Sequence, residues 1–70
     1  MDNIDYNSYS KETLREIIDN EQNTVAHYKL LKTCTPSEAL IRIYDAHIEA
    51  SQSIVTRAMT TLKKKLNYEL

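Results

Sequence analysis

The segment Thr35-Pro36-Ser37-Glu38 constrains the fold of this chain more than any other part of the sequence. Thr35 can act as the N-cap of a helix, and Pro36 suits the first helical position because its φ is fixed and it has no N–H. Glu38 can then reach back to the N–H of the cap residue. Because a residue before proline disfavours the α region, a preceding helix should end near Thr33. The segment therefore predicts a break between two helices.

The sequence on both sides of this break has the apolar periodicity of amphipathic helices. Ser10 can cap the first helix, and the second contains neither Gly nor Pro after Pro36. We predict an all-α fold in which residues 1–70 form one domain, an antiparallel two-helix hairpin with helices at about 10–33 and 36–66, the second being longer. Residues 1–9 are predicted to be irregular, and Ile4, Tyr6 and Tyr9 are placed to fold over the end of the second helix.

The second helix carries a heptad repeat of apolar and small residues. Together with its apolar neighbours, this repeat covers roughly 160° of the helix circumference, compared with about 100° for an ordinary surface helix. One partner helix is too narrow to cover such a stripe, so we expect dimerisation or a partner protein to complete the hairpin. The repeat consists of Ile41, Ile48, Val55 and Leu62 at one position and Tyr44, Ser51, Ala58 and Lys65 at the other.

A tight turn at the break sets the register between the helices and places Tyr28 opposite Ile41. Glu21, which interrupts the apolar stripe of the first helix, then falls opposite His47. We predict that these two side chains pair between the helices, because a buried carboxylate needs a partner. The residues predicted to have structural roles are Thr35, Pro36, Glu38, Tyr44, Leu62, Glu21 and His47.

The small size of the chain also favours a binding partner. Seventy residues lie near the lower limit for a self-sufficient core. Small chains usually add disulfides, a metal or oligomerisation, and this sequence has one cysteine, Cys34, and no cluster of metal ligands. Self-association or a protein partner is the remaining route. The residues predicted to bind the partner lie on one flank of the second helix and are Ile41, Ile48, Val55, Met59 and Leu66.

The sequence offers little for catalysis. It contains no glycine, so it has no phosphate-binding loop, nucleophile elbow or dinucleotide fingerprint. His27 and His47 are expected on different helices and different faces, and no base is indicated near Cys34. We therefore predict a protein that is not an enzyme, with no catalytic residues, no metal site and no cofactor.

Charge and cysteine content indicate the compartment and the class of partner. A lone cysteine favours a reducing environment, residues 1–5 lack the apolar core of a signal peptide, and no apolar run is long enough to span a membrane. A cytoplasmic protein without a membrane partner is expected. The charged residues within positions 1–23 are mostly acidic, whereas the other end of the sequence is made basic by Lys63, Lys64 and Lys65. In a hairpin these ends are neighbours, so the charges offset each other and nucleic-acid binding is not expected.

The segment from Lys32 to Leu40, followed by Ile43-Tyr44, Ala46, Ala50 and Ile54-Val55, resembles a known family. It is similar to the YscE-like co-chaperones of type III secretion needle subunits, which have a short turn, an aromatic residue after it, alanines and a paired β-branched step. The resemblance implies a short cytoplasmic hairpin that forms a heterodimer with a helical-repeat chaperone and keeps the needle subunit from polymerising early.

Two other interpretations stay open at this point. One is a small phage-type or nucleoid-associated regulatory protein that inhibits or modulates another protein by direct contact. The other is a homodimeric four-helix bundle made of two hairpins. All three interpretations use the apolar surface of the second helix, so the identity of its partner decides between them.

Overall fold

The computed structural model describes residues 5–68. They form a short 3₁₀ helix at Tyr6–Ser8 and two α-helices, α1 at Lys11–Cys34 and α2 at Glu38–Tyr68, with no strand in this part of the chain. The two α-helices have 24 and 31 residues and pack against each other as an antiparallel hairpin. The predicted fold class, including the longer second helix, is confirmed.

The start of α1 agrees with the sequence prediction. Ser10 is the N-cap, and its hydroxyl accepts a hydrogen bond of 3.1 Å from the N–H of Thr13. Its carbonyl accepts the N–H of Leu14 at 3.0 Å. Glu12 lies in the first turn, where a carboxylate is favoured by the partial positive charge of the helix end.

The connection between the helices differs from the prediction. α1 continues to Cys34, and Thr35 is its C-cap, with an extended backbone at φ −108° and ψ 122°. The predicted roles of Thr35 as N-cap and of Pro36 as first helical residue are therefore wrong. The steric restriction that proline places on the residue before it keeps Thr35 extended. α2 begins at Glu38, so the linker has three residues, 35–37.

Ser37 takes the capping role that the sequence predicted for Thr35. The N–H of Leu40 donates to the Ser37 hydroxyl at 3.4 Å, and the N–H of Ile41 donates to the Ser37 carbonyl at 3.0 Å. Glu38 is the first residue of α2 and the acid of its first turn. Its side chain makes no hydrogen bond to another residue of the described part of the chain, so the predicted reciprocal capping bond is not formed there.

The longer linker shifts the register of the hairpin. Tyr28 lies against Tyr44 and His47, with ring centroids 5.6 and 4.8 Å apart, rather than opposite Ile41. α1 therefore faces residues about one to two turns further along α2 than the sequence predicted. Near the turn, Lys32 of α1 forms an ion pair with Asp45 of α2.

The core lies toward the end of the hairpin where the 3₁₀ helix packs against α2. Its centre is a cluster of Tyr6, Leu14, Ile18 and Ala58, in which Leu14 is completely buried. The N-terminal segment thus contributes to the core, and the prediction of an irregular tail is wrong for residues 6–8. The partly buried residues that surround the cluster are Tyr9, Ile17, Ile54, Val55 and Leu62.

Specific hydrogen bonds hold the 3₁₀ helix in place. The Asp5 side chain caps it by accepting the N–H of Asn7 at 3.1 Å. The Lys65 Nζ donates to the Asn7 carbonyl at 2.9 Å, which ties the segment to α2. The predicted packing of the tail onto the second helix is confirmed for the segment that contains Tyr6. Tyr9 packs against the core cluster, and Ile4 lies outside the described residues.

Neither described helix combines the length and the apolar character needed to cross a bilayer.

Candidate protein-binding surface

The structure divides the five residues of the predicted binding flank into three environments. Ile48 is buried between the helices, and Ile41 and Val55 are half-buried. Met59 and Leu66 remain 49% and 39% exposed. The part of the flank that is available to a partner is therefore its C-terminal half.

Met59 and Leu66 line a groove between the two helices. The groove has a volume of about 580 Å³ and runs along one side of the hairpin, at the end that contains the core. Leu62, predicted only to hold the hairpin together, has both roles, because it packs against the core cluster and also lines the groove. The residues that line the groove are Arg15, Ile18, Asp19, Met59, Leu62, Lys63 and Leu66.

A second hollow continues the groove toward the turn. It has a volume of about 460 Å³, and its residues follow those of the groove at helical spacing of three or four on the same side of each helix. The two hollows form one crease that extends from position 52 to position 66 of α2, about 21 Å along the axis. The second hollow is lined by Gln22, Val25, Gln52, Val55 and Thr56.

Three charged side chains border the apolar part of the crease. Arg15 and Asp19 lie on the α1 side and Lys63 lies on the α2 side. All three are exposed, and none of them forms an ion pair with another residue in the range 5–68. The border therefore has two free cations and one free anion available to an incoming chain.

An aromatic cluster lies nearer the turn and joins the two helices. The ring of His47 is stacked on Tyr28 at 4.8 Å and 8°, and His27 meets the same tyrosine edge-on at 5.7 Å. Tyr44 contacts Tyr28 as well, which agrees with its predicted role in holding the hairpin. The two histidines lie on different helices, as predicted, and each of them contacts the ring of Tyr28.

The predicted pair of Glu21 and His47 is not formed. His47 is exposed beside Tyr28, while Glu21 is half-buried and has no ion pair with another described residue. The register shift explains this difference as well. The spacing of Tyr44 and His47, three residues apart on α2, is the sequence signal that could have indicated the aromatic cluster if the register had been known.

Neither a metal site nor a nucleophile arrangement is found in the described part of the chain. No group of three or more His, Cys, Asp or Glu residues there is placed to hold a metal ion. Cys34 is a free, exposed thiol near the turn. The crease is therefore the strongest candidate site, and its chemistry is that of apolar contact with a charged border.

A second exposed apolar surface was not identified from the sequence. Leu40 and Ile43 are 42% and 50% exposed and lie on the side of α2 that faces away from the crease. Both are among the apolar neighbours of the heptad repeat, so the sequence pattern placed them in the wide stripe that faces α1. The accompanying exposed alanines, at positions 39, 46 and 50, carry little weight in a hydrophobic pattern, so a separate face was not recognised.

In comparisons with known proteins, no family model, curated protein or solved structure matches this chain.

Proposed function

We propose that this chain is a non-catalytic protein-binding hairpin that holds a helix of a partner protein in the crease between α1 and α2. The observation that carries the proposal is the exposure of Met59 and Leu66, 49% and 39%, on a groove whose floor includes Ile18 and Leu62. An apolar crease between two helices suits helix-in-groove recognition, in which a third helix completes the core.

The crease defines the chemistry of the partner helix. Its length of about 21 Å fits about fourteen helical residues, with apolar side chains at spacings of three and four toward the hairpin. Covering the exposed halves of Met59 and Leu66 contributes roughly 1 kcal/mol for each side chain, because complete burial of a large apolar side chain contributes about 1.5–3 kcal/mol. An acidic residue on the partner helix would meet Arg15 or Lys63 and would add specificity and association rate.

The resemblance to needle-subunit co-chaperones names a specific partner within this class. In that role the hairpin would bind a helical-repeat secretion chaperone in the cytoplasm, and the pair would keep the needle subunit monomeric. What supports this role is the similarity of the segment from Lys32 to Leu40, together with a hairpin whose second helix is longer. The lone, exposed Cys34 is compatible with a reducing compartment.

Site-specific crosslinking followed by titration tests the proposal. A benzophenone amino acid in place of Met59 should crosslink to one partner, whereas the same group in place of the adjacent, exposed Thr60 should not. The purified partner is then titrated calorimetrically. We expect Met59→Glu to weaken binding at least tenfold, because it places a charge on the groove wall, and Thr60→Glu to bind like the unsubstituted protein.

The identity of the crosslinked product separates the interpretations left open by the sequence. Crosslinking to a secretion chaperone supports the co-chaperone role. Crosslinking to a DNA-binding protein, or to an enzyme that acts on nucleic acids, supports the regulatory role. A product of twice the monomer mass supports a homodimer through the crease. Equal binding of Met59→Glu and Thr60→Glu to the purified partner would contradict the crease as the binding surface.

A further inference from the structure

The outward side of α2 carries a second heptad pattern, made of apolar and small residues that are exposed. Ala39, Ile43, Ala46 and Ala50 follow each other at spacings of four, three and four, as the core positions of a coiled coil do. All four are exposed, and Ile43 is 50% exposed. We call this surface the outer face of α2.

The outer face is separate from the crease described above. Positions 46 and 48 differ by about 200° around the helix, and Ile48 is buried against α1. Met59 and Leu66 lie on the same side of α2 as Ile48. A molecule bound at the outer face would therefore leave the crease open.

We infer that the outer face of α2 binds the outer face of α2 in a second copy of this chain, with the two helices antiparallel. In this alignment Ile43 of each copy lies over Ala46 of the other, and Ala39 lies over Ala50. Each Ile43 side chain then fills the space left by a small residue, and the alanines allow the two helix backbones to approach closely.

Charge complementarity selects the second copy as the occupant. Arg42 and Glu49 flank the outer face on one side, are both exposed, and form no ion pair with any residue between positions 5 and 68. The same antiparallel alignment places Arg42 of each copy beside Glu49 of the other, so two symmetry-related ion pairs form. A parallel alignment brings neither charge next to its opposite.

The other flank of the outer face is also self-complementary. There the alignment brings Leu40 of one copy beside His47 of the other, so Leu40, 42% exposed in the single chain, is covered by the stacked His47–Tyr28 pair. The pattern continues with the polar Ser53 and then the charged Arg57 at its next two core positions, and both lie beyond the overlap of the two helices. The pattern is therefore interrupted where the dimer contact ends.

The proposed dimer interface is short, so its affinity is expected to be low. The outer face from Ala39 to Ala50 extends about 17 Å along the helix, so the interface belongs to the smaller class of protein contacts, which are weak or transient. We expect a monomer–dimer equilibrium with a Kd on the order of 10–100 μM.

Sedimentation equilibrium from about 10 μM to 1 mM, with Cys34 kept reduced, tests the inference. The unsubstituted chain should dimerise, Ile43→Glu should raise the Kd at least tenfold, and Met59→Glu, on the crease, should leave it within twofold. Far-UV circular dichroism of each variant verifies that the hairpin is folded. A chain that is monomeric at 1 mM, or a dimer that is lost with Met59→Glu and kept with Ile43→Glu, would overturn the inference.

A charge-swap series tests the antiparallel alignment. Arg42→Glu and Glu49→Arg should each weaken the dimer about three- to tenfold, because each variant places like charges side by side. The double variant should recover the original Kd within about twofold. Failure of the double variant to recover would overturn the alignment. Partner binding at the crease is independent of these outcomes, since Ile43→Glu should bind the partner with unchanged affinity.

Discussion

Leu14 and Leu30 provide a matched pair of substitutions on one helix. Both lie within α1, but Leu14 is completely buried in the core cluster whereas Leu30 is 64% exposed. Leucine and alanine are both strong helix formers, so replacing either residue by alanine costs little helix propensity. The difference between the two variants therefore measures the packing of Leu14.

The magnitude follows from burial. Leu14→Ala removes a buried side chain and leaves a cavity against Tyr6, Ile18 and Ala58, which costs about 2–5 kcal/mol in comparable cores. A chain of this length has a total unfolding free energy of roughly 3.5–10 kcal/mol. The substitution thus removes a large fraction of the stability, and a loss of 3 kcal/mol lowers Tm by roughly 12–24 °C. Leu30→Ala should change the unfolding free energy by less than about 0.5 kcal/mol.

Urea unfolding, followed by circular dichroism at low protein concentration, measures both variants. The reasoning fails if the two variants lose equal stability, because that result would mean that the cluster around Leu14 is not the core. A large loss for Leu30→Ala would instead indicate that something in solution covers that residue. The unsubstituted chain at the same concentration is the reference.

Three further perturbations address the ends of the helices and their contacts. Ser37→Ala should cost about 1 kcal/mol of unfolding free energy because it removes the N-cap of α2, and Thr35→Ala should cost less. A larger loss for Thr35→Ala than for Ser37→Ala in urea unfolding would show that Thr35 is the cap. Tyr6→Ala should cost about 2–4 kcal/mol because it removes a buried ring of the core, and a negligible loss would show that the 3₁₀ helix is not docked. A double-mutant cycle on Lys32 and Asp45 should give a coupling free energy below about 1 kcal/mol, because both side chains are partly exposed. A larger coupling free energy would mean that the pair is shielded from water.

The sequence predicted the elements of the fold because local signals set them. Pro36 forces a break, Ser10 provides a cap, and the apolar periodicity on either side requires two helices. The position of the second cap could not be predicted, because Thr35 and Ser37 are both good capping residues only two positions apart. The structure resolves this choice through Ser37, whose hydroxyl and carbonyl accept the N–H groups of Leu40 and Ile41.

The candidate site was predicted only in part, because it depends on how the two helices are placed against each other. Ile48 and Met59 belong to the same wide stripe, yet one is buried and the other is 49% exposed. A periodic pattern shows on which side of a helix the apolar residues lie, but it does not show which of them the neighbouring helix buries. The linker length set the register of α1 against α2, so the residues of α1 that border the groove, such as Arg15 and Asp19, could not be assigned beforehand.

The bond between Lys65 and Asn7 has a mechanical consequence. Because it joins the first described turn of the chain to the last turns of α2, a force applied through the two chain ends acts at one end of the hairpin and peels the helices apart. The first resistance is the cluster of Tyr6, Leu14 and Ala58, after which the remaining contacts open one after another toward Cys34. An unfolding motor that pulls in this direction therefore meets the core cluster first, before the contacts near the turn.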